Sequence, residues 1–420
     1  MRNGFLFLIT VLMLSGNLAA SGTSETVAEA NWQDVHGAGS QRSDPKTGDP
    51  ADYADGHGPQ GDAIRIMNML RPVRSFSTVD LPYPIIDTNQ TTRFDNFEST
   101  NEPTVFVGQD ADYINLEASY RDNGNGTVSD LNTELMWQKN PGEKMSWDEA
   151  FKTVETANLA GYDDWRIPTI KELYSLMQFS GRDVAPESKV GNIPFIDTAY
   201  FDFVYGDPQL GERVIDSQYM SSTKYVSTTM EGDETVFGVN FADGRIKGYG
   251  MGLFGHDKTF FVMFVRGNKD YGQNNFVDNS DGTISDLATG LMWSQDDYGS
   301  MNWKAALDTC ENLEYAAYDD WRLPDAKELQ SIVDYSRSPL TTDSAAIDPL
   351  FNTSTVINEA GHKDYGFYWS STTHANSNST NYGTAGAYVS FGKSLGNMSM
   401  MEMPNRRKGD RPEGGPPPKK

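Results

Sequence analysis

Apolar and polar residues alternate in short bursts over much of the chain, and helical spacing interrupts them only briefly. Period-two patterning runs through residues 236–241 and 388–391 and through Thr259-Phe-Phe-Val-Met-Phe-Val-Arg266, which predicts half-buried strands. Trp147, Ala150, Phe151, Val154 and Ala157 instead follow helical spacing, with Ser146 placed to cap that helix. Pro168 opens a second helical stretch that sets Leu173, Leu176 and Met177 on one face. Asn302 and Pro324 introduce the same two helices again later in the chain.

That recurrence is an internal repeat. Asp122-Asn-Gly-Asn-Gly-Thr-Val-Ser-Asp130-Leu returns as Asp278-Asn-Ser-Asp-Gly-Thr-Ile-Ser-Asp286-Leu. Leu135-Met-Trp137 returns as Leu291-Met-Trp293, and Tyr162-Asp-Asp-Trp-Arg-Ile-Pro168 as Tyr318-Asp-Asp-Trp-Arg-Leu-Pro324. All these pairs share an offset of 156 residues. The match then loosens through Tyr219/Tyr368 and Val239/Val389, as changing loop lengths predict. Each Asp-Asn-x-x-Gly-Thr run reads as a hairpin turn between two strands.

The copies end differently. The strand ending in Val265-Arg266 has no counterpart after Phe391, but residues 62–74, which end in Val73-Arg74, supply one at the other end of the chain. We therefore expect a circular permutation, with 62–74 inserted beside 386–391 of the second copy. The resulting boundaries are an export signal at 1–22, a completing segment at 32–75, an opening segment at 76–114, modules at 115–268 and 271–400, and a basic Pro- and Gly-rich tail, read as disordered, at 404–420.

Composition narrows the function. The net charge of −25 makes nucleic acid and anionic lipid poor partners. Arg2, the apolar run from Phe5 to Leu14 and the small residues that follow read as a cleaved export signal, which places the protein in the periplasm, outside the cell or at its surface. No later stretch is apolar enough to span a bilayer. The single cysteine, Cys310, permits neither an intrachain disulfide nor a cysteine metal cluster.

These motifs resemble the Lcl C-terminal domain family, with Trp369-Ser-Ser-Thr372 and the closing Val-Arg strand adding to the likeness over roughly residues 115–400. Asp34-Val-His-Gly-Ala-Gly and His57-Gly-Pro-Gln-Gly-Asp-Ala-Ile-Arg resemble the segment that closes the last copy in two-copy members. A more distant likeness to C-type lectins and formylglycine-generating enzymes implies an α+β fold: two tandem C-type-lectin-like modules, each with two helices packed on short twisted antiparallel strands. The resemblance implies adhesion and glycan binding. It also implies a paired cysteine in each module, which this chain has lost: Pro72, Val154 and Phe264 stand at matching positions and Cys310 is left alone, buried in its helix.

For chemistry, the candidate ligand-binding residues are Trp165, Arg166, Trp321, Arg322 and Trp369, because tryptophans stack on sugar rings and arginines take bidentate hydrogen bonds. Each also has a structural reading: the tryptophans, with Trp137 and Trp293, as core, and the Asp164/Arg166 and Asp320/Arg322 pairs as loop-orienting bonds. Asp122, Asn125, Asp130, Asp278, Asp281 and Asp286 are the candidate calcium ligands, against the reading of the same loops as plain turns, since their spacing does not fit an EF-hand. His36, His57, His256, His362 and His374 form no metal-binding pair at helical spacing, and no nucleophile elbow, phosphate loop or zinc-protease pattern occurs. The expected function is a non-catalytic exported binding protein for a glycan or surface protein. An enzyme of unknown activity or a calcium-stabilised envelope component stands as the alternative.

Overall fold

Asn-Gly turns and capped helix starts become, in the computed structural model, a molecule dominated by strands. The structure describes residues 31–77, 81–96, 99–100, 102, 105–183, 191–230, 232–253, 256–376 and 382–401; the expected export signal at 1–22 and the expected disordered tail at 404–420 lie outside these. The N-terminal segment gives β1 (Trp32–Asp34), β2 (Gln41–Pro45), β3 (Asn68–Leu70) and β4 (Val73–Ser75). The first half gives β5 (Tyr120–Asp122), β6 (Thr127–Asp130), β7 (Leu135–Gln138), α1 (Trp147–Glu155), α2 (Ile170–Ser175), β8 (Gln218–Thr229), β9 (Asp233–Asn240), β10 (Arg245–Gly250) and β11 (Val265–Gly267). The second half gives β12 (Phe276–Asp278), β13 (Thr283–Asp286), β14 (Leu291–Ser294), β15 (Tyr298–Met301), α3 (Trp303–Glu311), α4 (Ala326–Ser331), β16 (Phe367–His374), β17 (Ala385–Ser390) and β18 (Leu395–Asn397).

The expected pair of helix-plus-strand lectin modules is not what forms. Strand predominates, and among the described residues α-helix is confined to four short helices, so sheets and not helix-on-strand layers carry the architecture. The first helix of each half starts just after its expected cap, Ser146 or Asn302, while the second starts at Ile170 and Ala326, two residues beyond Pro168 and Pro324; Ser146 with Glu149, Thr169 with Glu172, and Asp325 with Glu328 each form a reciprocal capping box. The helices stop after six or nine residues, too short to cover a sheet alone. The cover comes from strands far away in sequence.

One eight-stranded sheet runs through both halves in the order β8-β9-β10-β2-β17-β16-β3-β15. Read from either end of its centre, the pairing repeats. Tyr219 opposes Val239 and Val239 opposes Ile246; Tyr368 opposes Val389 and Val389 opposes Gln41. At the centre Ile246 pairs antiparallel with Gln41, an arrangement like that of a two-fold dimer folded from one chain. The halves therefore do not pack independently. A single core joins Leu173, Met177 and Phe237 to Leu329, Ile332 and Val389, and smaller clusters lie around Trp165 and Trp303.

The N-terminal segment completes the second half, but not with the expected neighbours. The strand beside 385–390 on one side is β2, while β3 lies one strand farther out, with Met69 parallel to Tyr368. The reason is equivalence with residues 260–267, which in the first half also avoid the 233–240 strand. Phe261 pairs in parallel with Tyr219, and Val265 pairs with Trp137 as Val73 pairs with Trp293. Gln138 N–H donates to the Phe264 carbonyl at 2.9 Å, and Ser294 N–H to the Pro72 carbonyl at 3.1 Å, so Phe264 and Pro72 occupy equivalent places in the two halves.

Helices α2 and α4 meet at the same internal symmetry. Lys171 on α2 donates to the Ser331 carbonyl that ends α4 (2.7 Å), and Lys327 on α4 donates to the Ser175 carbonyl that ends α2 (2.9 Å). Each ammonium thus caps the negative end of the other helix. Burial lowers both lysines to about 8. Among the described residues no helix is long and apolar enough to cross a membrane.

Candidate functional site

The residues expected to meet a ligand face inward. Trp165 and Trp321 are buried, and their indole N–H groups donate to the Leu159 and Tyr315 carbonyls at 3.1 and 3.0 Å. Trp369 is fully buried and donates to the Met301 carbonyl at 2.9 Å. Arg166 forks onto Glu172 at 2.9 and 2.5 Å, and Arg322 onto Glu328 at 2.5 and 2.6 Å. The bidentate bonds expected at these loops exist, but with other partners. Asp164 receives Arg266 and Asp320 receives Arg74, each arginine lying over a tyrosine ring, Tyr162 at 3.8 Å and Tyr318 at 3.9 Å. The Asp-Asp-Trp-Arg motif therefore ties the closing strand to its loop in both halves.

The candidate calcium ligands are likewise not brought together. Asp122 accepts from Gly124 N–H and Lys139 Nζ, Asn125 from Thr127 Oγ1, Asp278 from Ser280 N–H, and Asp281 from Thr283 N–H and Oγ1. These bonds belong to the turns themselves. Asp130 accepts from Asn132 and Thr133 N–H, and the fully buried Asp286 accepts four bonds, from Asn275 and Ala288 N–H, Asn274 Nδ2 and Thr289 Oγ1. Among the described residues no group of three or more His, Cys, Asp or Glu could hold a metal ion.

His36 lies in the loop between β1 and β2 and is buried at the junction of the halves. Its Nε2 lies 2.9 Å from Asp62 Oδ1, and Asp62 also accepts Arg42 at 2.6 Å. Arg245 with Asp183 and Lys247 with Asp243 stand beside them across the sheet. Burial and then the neighbouring cations lower His36 to about 4 and His374 to about 3, so both are neutral near pH 7. Cys310 is buried in α3 and burial raises its thiol, which makes it a packing residue.

Other buried carboxyls shift upward. Desolvation raises Asp34 to about 6 and Asp44 to about 7, each against hydrogen bonds that pull it down. Asp44 accepts Arg65 N–H at 2.8 Å. Its unfolded value is near 3.8, so between about pH 4 and 7 the folded chain holds a proton that the unfolded chain has released. Stability from this group is whole at acid pH and falls as pH rises through that window. The melting curve of Asp44→Asn should match that of the native chain near pH 4 and gain on it steadily up to pH 7. Parallel curves over pH 4–8 would show that the burial of this carboxyl costs nothing.

An open cleft of about 250 Å³ lies where β1, the turn at residues 50–54 and residues 63–67 meet the second half. Trp32, Pro50, Tyr53, Arg65, Met67 and Glu359 are among its lining. Trp32 and Tyr53 are half-buried and Met67 is exposed, so ring faces and a thioether are open to solvent. Arg65 donates from Nε and Nη2 to Glu359, both at 2.8 Å, and its guanidinium lies 3.9 Å over the Phe367 ring. Burial opposes the Glu359 charge, but Arg65 outweighs it and holds the carboxyl below its usual value. The cleft wall thus carries an ion pair with no net charge beside an apolar, aromatic surface. No sequence motif marks it: Trp32 and Tyr53 are isolated aromatics in a polar, glycine-rich segment, and Glu359 comes from a loop more than 290 residues away from Arg65.

The Lcl C-terminal domain matches the chain twice, at residues 126–266 and 282–407. No curated protein and no solved structure gives a match.

Proposed function

This chain belongs to the Lcl C-terminal domain family, and we propose that it is an exported, non-catalytic binding protein that recognises a glycan or a surface protein through the cleft at Trp32 and Tyr53. The observation that carries this reading is the contrast between two sets of residues. The repeated polar and aromatic residues are spent on one another inside the fold. The cleft leaves aromatic faces beside a fixed, planar hydrogen-bonding pair, the surface that sugar rings and flat peptide groups recognise. The enzymatic reading has less support. The carboxyls shifted most strongly, such as Asp110 and Asp325, are fully buried and bonded to Thr88, Thr372 and the start of α4, not open to a substrate.

Glycan-array screening followed by calorimetry tests the proposal. A neutral glycan that binds the native chain should lose about tenfold or more in affinity to Trp32→Ala, the loss of about 1.4 kcal/mol expected for one stacked aromatic. Binding unchanged by Trp32→Ala and by Tyr53→Ala would move the site elsewhere, and no binding across the array would remove glycans as the ligand.

A further inference from the structure

The chain passes the cleft again on its way out of the described residues. β1 and β18 pair antiparallel with Trp32 opposite Asn397, and Met398 N–H donates to the Asn31 carbonyl at 2.8 Å. Met401 is four residues beyond Asn397, so at no more than about 3.6 Å per residue it stays within about 15 Å of the strand pair that carries Trp32. Residues 402–420 follow. They hold six Lys or Arg against three acids, in a chain whose net charge is −25, and they include Pro404, Pro412 and the run Pro416-Pro417-Pro418.

Proline-rich segments hold a polyproline helix with little entropy left to lose, and they dock on aromatic surfaces for that reason. The cleft offers such a surface in Trp32, Tyr53 and Pro50. Its rim is acidic: Asp49, Asp52 and Asp55 are exposed on and beside the turn at residues 50–53. Arg65 is already taken by Glu359, so the cleft has no spare cation to repel a basic segment. Fourteen residues separate Met401 from Pro416, and a chain of that length reaches at most about 50 Å, ample to return to Trp32.

We propose that the segment around Pro416–Pro418 docks in this cleft in cis and competes there with the external ligand. The proposal rests on the reading of the cleft as a binding site. An intramolecular occupant lowers the apparent affinity for any other ligand by the fraction of time the cleft stands open. Basic flanks at Arg411, Lys419 and Lys420 meet the acidic rim, so docking weakens as salt rises.

The full chain carries its own test. Gly415→Cys gives a labelling site for a nitroxide, because the single native thiol, Cys310, is buried and inert. In protein made with 5-fluorotryptophan, the Trp32 resonance is identified by its loss in Trp32→Phe. Docking in cis predicts that the nitroxide broadens the Trp32 line, that tenfold dilution with unlabelled chain leaves the broadening intact, and that 0.5 M salt reduces it. Replacing Pro416, Pro417 and Pro418 by Gly should abolish the broadening and tighten external ligand binding by about 2- to 10-fold. A sharp Trp32 line in the labelled chain overturns the proposal, and so does broadening that vanishes on dilution, which would place the segment on a second copy. Broadening without any glycan binding would leave the docked segment standing and remove the glycan reading. Trp32-dependent glycan binding with a sharp line would do the reverse.

Discussion

Removing residues 31–77 is expected to unfold the second half of the protein, with its cooperative melt lost and not merely shifted. These residues place β2 in the middle of the eight-stranded sheet, between β10 and β17, β3 between β16 and β15, and β4 along β14 of the second half. Val35, Ile66, Leu70 and Val73 are buried to within 1%. Each such side chain contributes about 1.5–3 kcal/mol by its burial, and four of them rival the 5–15 kcal/mol by which a whole domain is stable. Two cations add to the loss. Lys46 is buried 4.0 Å over the Trp303 ring and donates to Thr373 at 2.7 Å, and Arg71 donates to the Ser294, Gln295 and Asn352 carbonyls at 2.7–2.8 Å. The sheet β11-β7-β6-β5 needs nothing from the segment and should survive. Circular dichroism and amide exchange would separate the two halves, and a peptide of residues 31–77 added in trans should restore protection to β16 and β17. A truncated chain that still melts cooperatively within about 5 °C of the native one would mean that the segment is an appendage.

What the sequence made legible was local. The caps at Ser146 and Asn302 and the Asn- and Gly-containing turns at Asp122 and Asp278 form where short-range rules put them, because a cap or a turn is decided by four or five neighbouring residues. The repeat also showed that residues near 73 and 265 are alike. It could not show that the halves share one sheet. The Ile246–Gln41 pair that joins them has a separation of 205 residues and no motif of its own. The lectin-like expectation failed for the same reason: helical spacing marked where helices start, but their length and what covers the sheet were set by distant strands.

The candidate site was the least legible part. Trp165 and Trp321 attract attention because they recur, and Trp369 stands where the first half has Met220, yet all of these side chains are buried and the recurrence follows from a need to fill the same core twice. The cleft exists once, on the segment that closes only the second half, so no repeat marks it. Arg65 and Glu359 are ordinary residues until the fold sets them 2.8 Å apart. Asp164 and Arg166 were natural partners in sequence, but the strand that carries Arg266 brings a guanidinium to Asp164 and frees Arg166 for Glu172.

The repeated arginine–glutamate forks give the sharpest comparison between the halves. Arg322→Ala is expected to cost about 3–5 kcal/mol in chemical denaturation, because it leaves the Glu328 carboxylate charged and unpaired inside the fold. Arg166→Ala should cost less, about 1–3 kcal/mol. Both glutamates are 2% exposed, but Arg322 is 7% exposed and Arg166 27%, so water can follow the deleted side chain toward Glu172 and not toward Glu328. Each glutamate also accepts the N–H of its helix cap, Asp325 N–H to Glu328 at 3.0 Å and Thr169 N–H to Glu172 at 2.8 Å, so losing the arginine disturbs the start of the helix in both halves alike and the burial difference alone separates them. Replacing both members, Arg322→Met with Glu328→Leu, removes the charge along with its partner and should recover much of the stability that the single change loses. Equal costs for the two alanine variants would mean that the burial difference does not govern the pair, and a double variant no better than Arg322→Ala would mean that the capping box, not the unpaired charge, bears the loss.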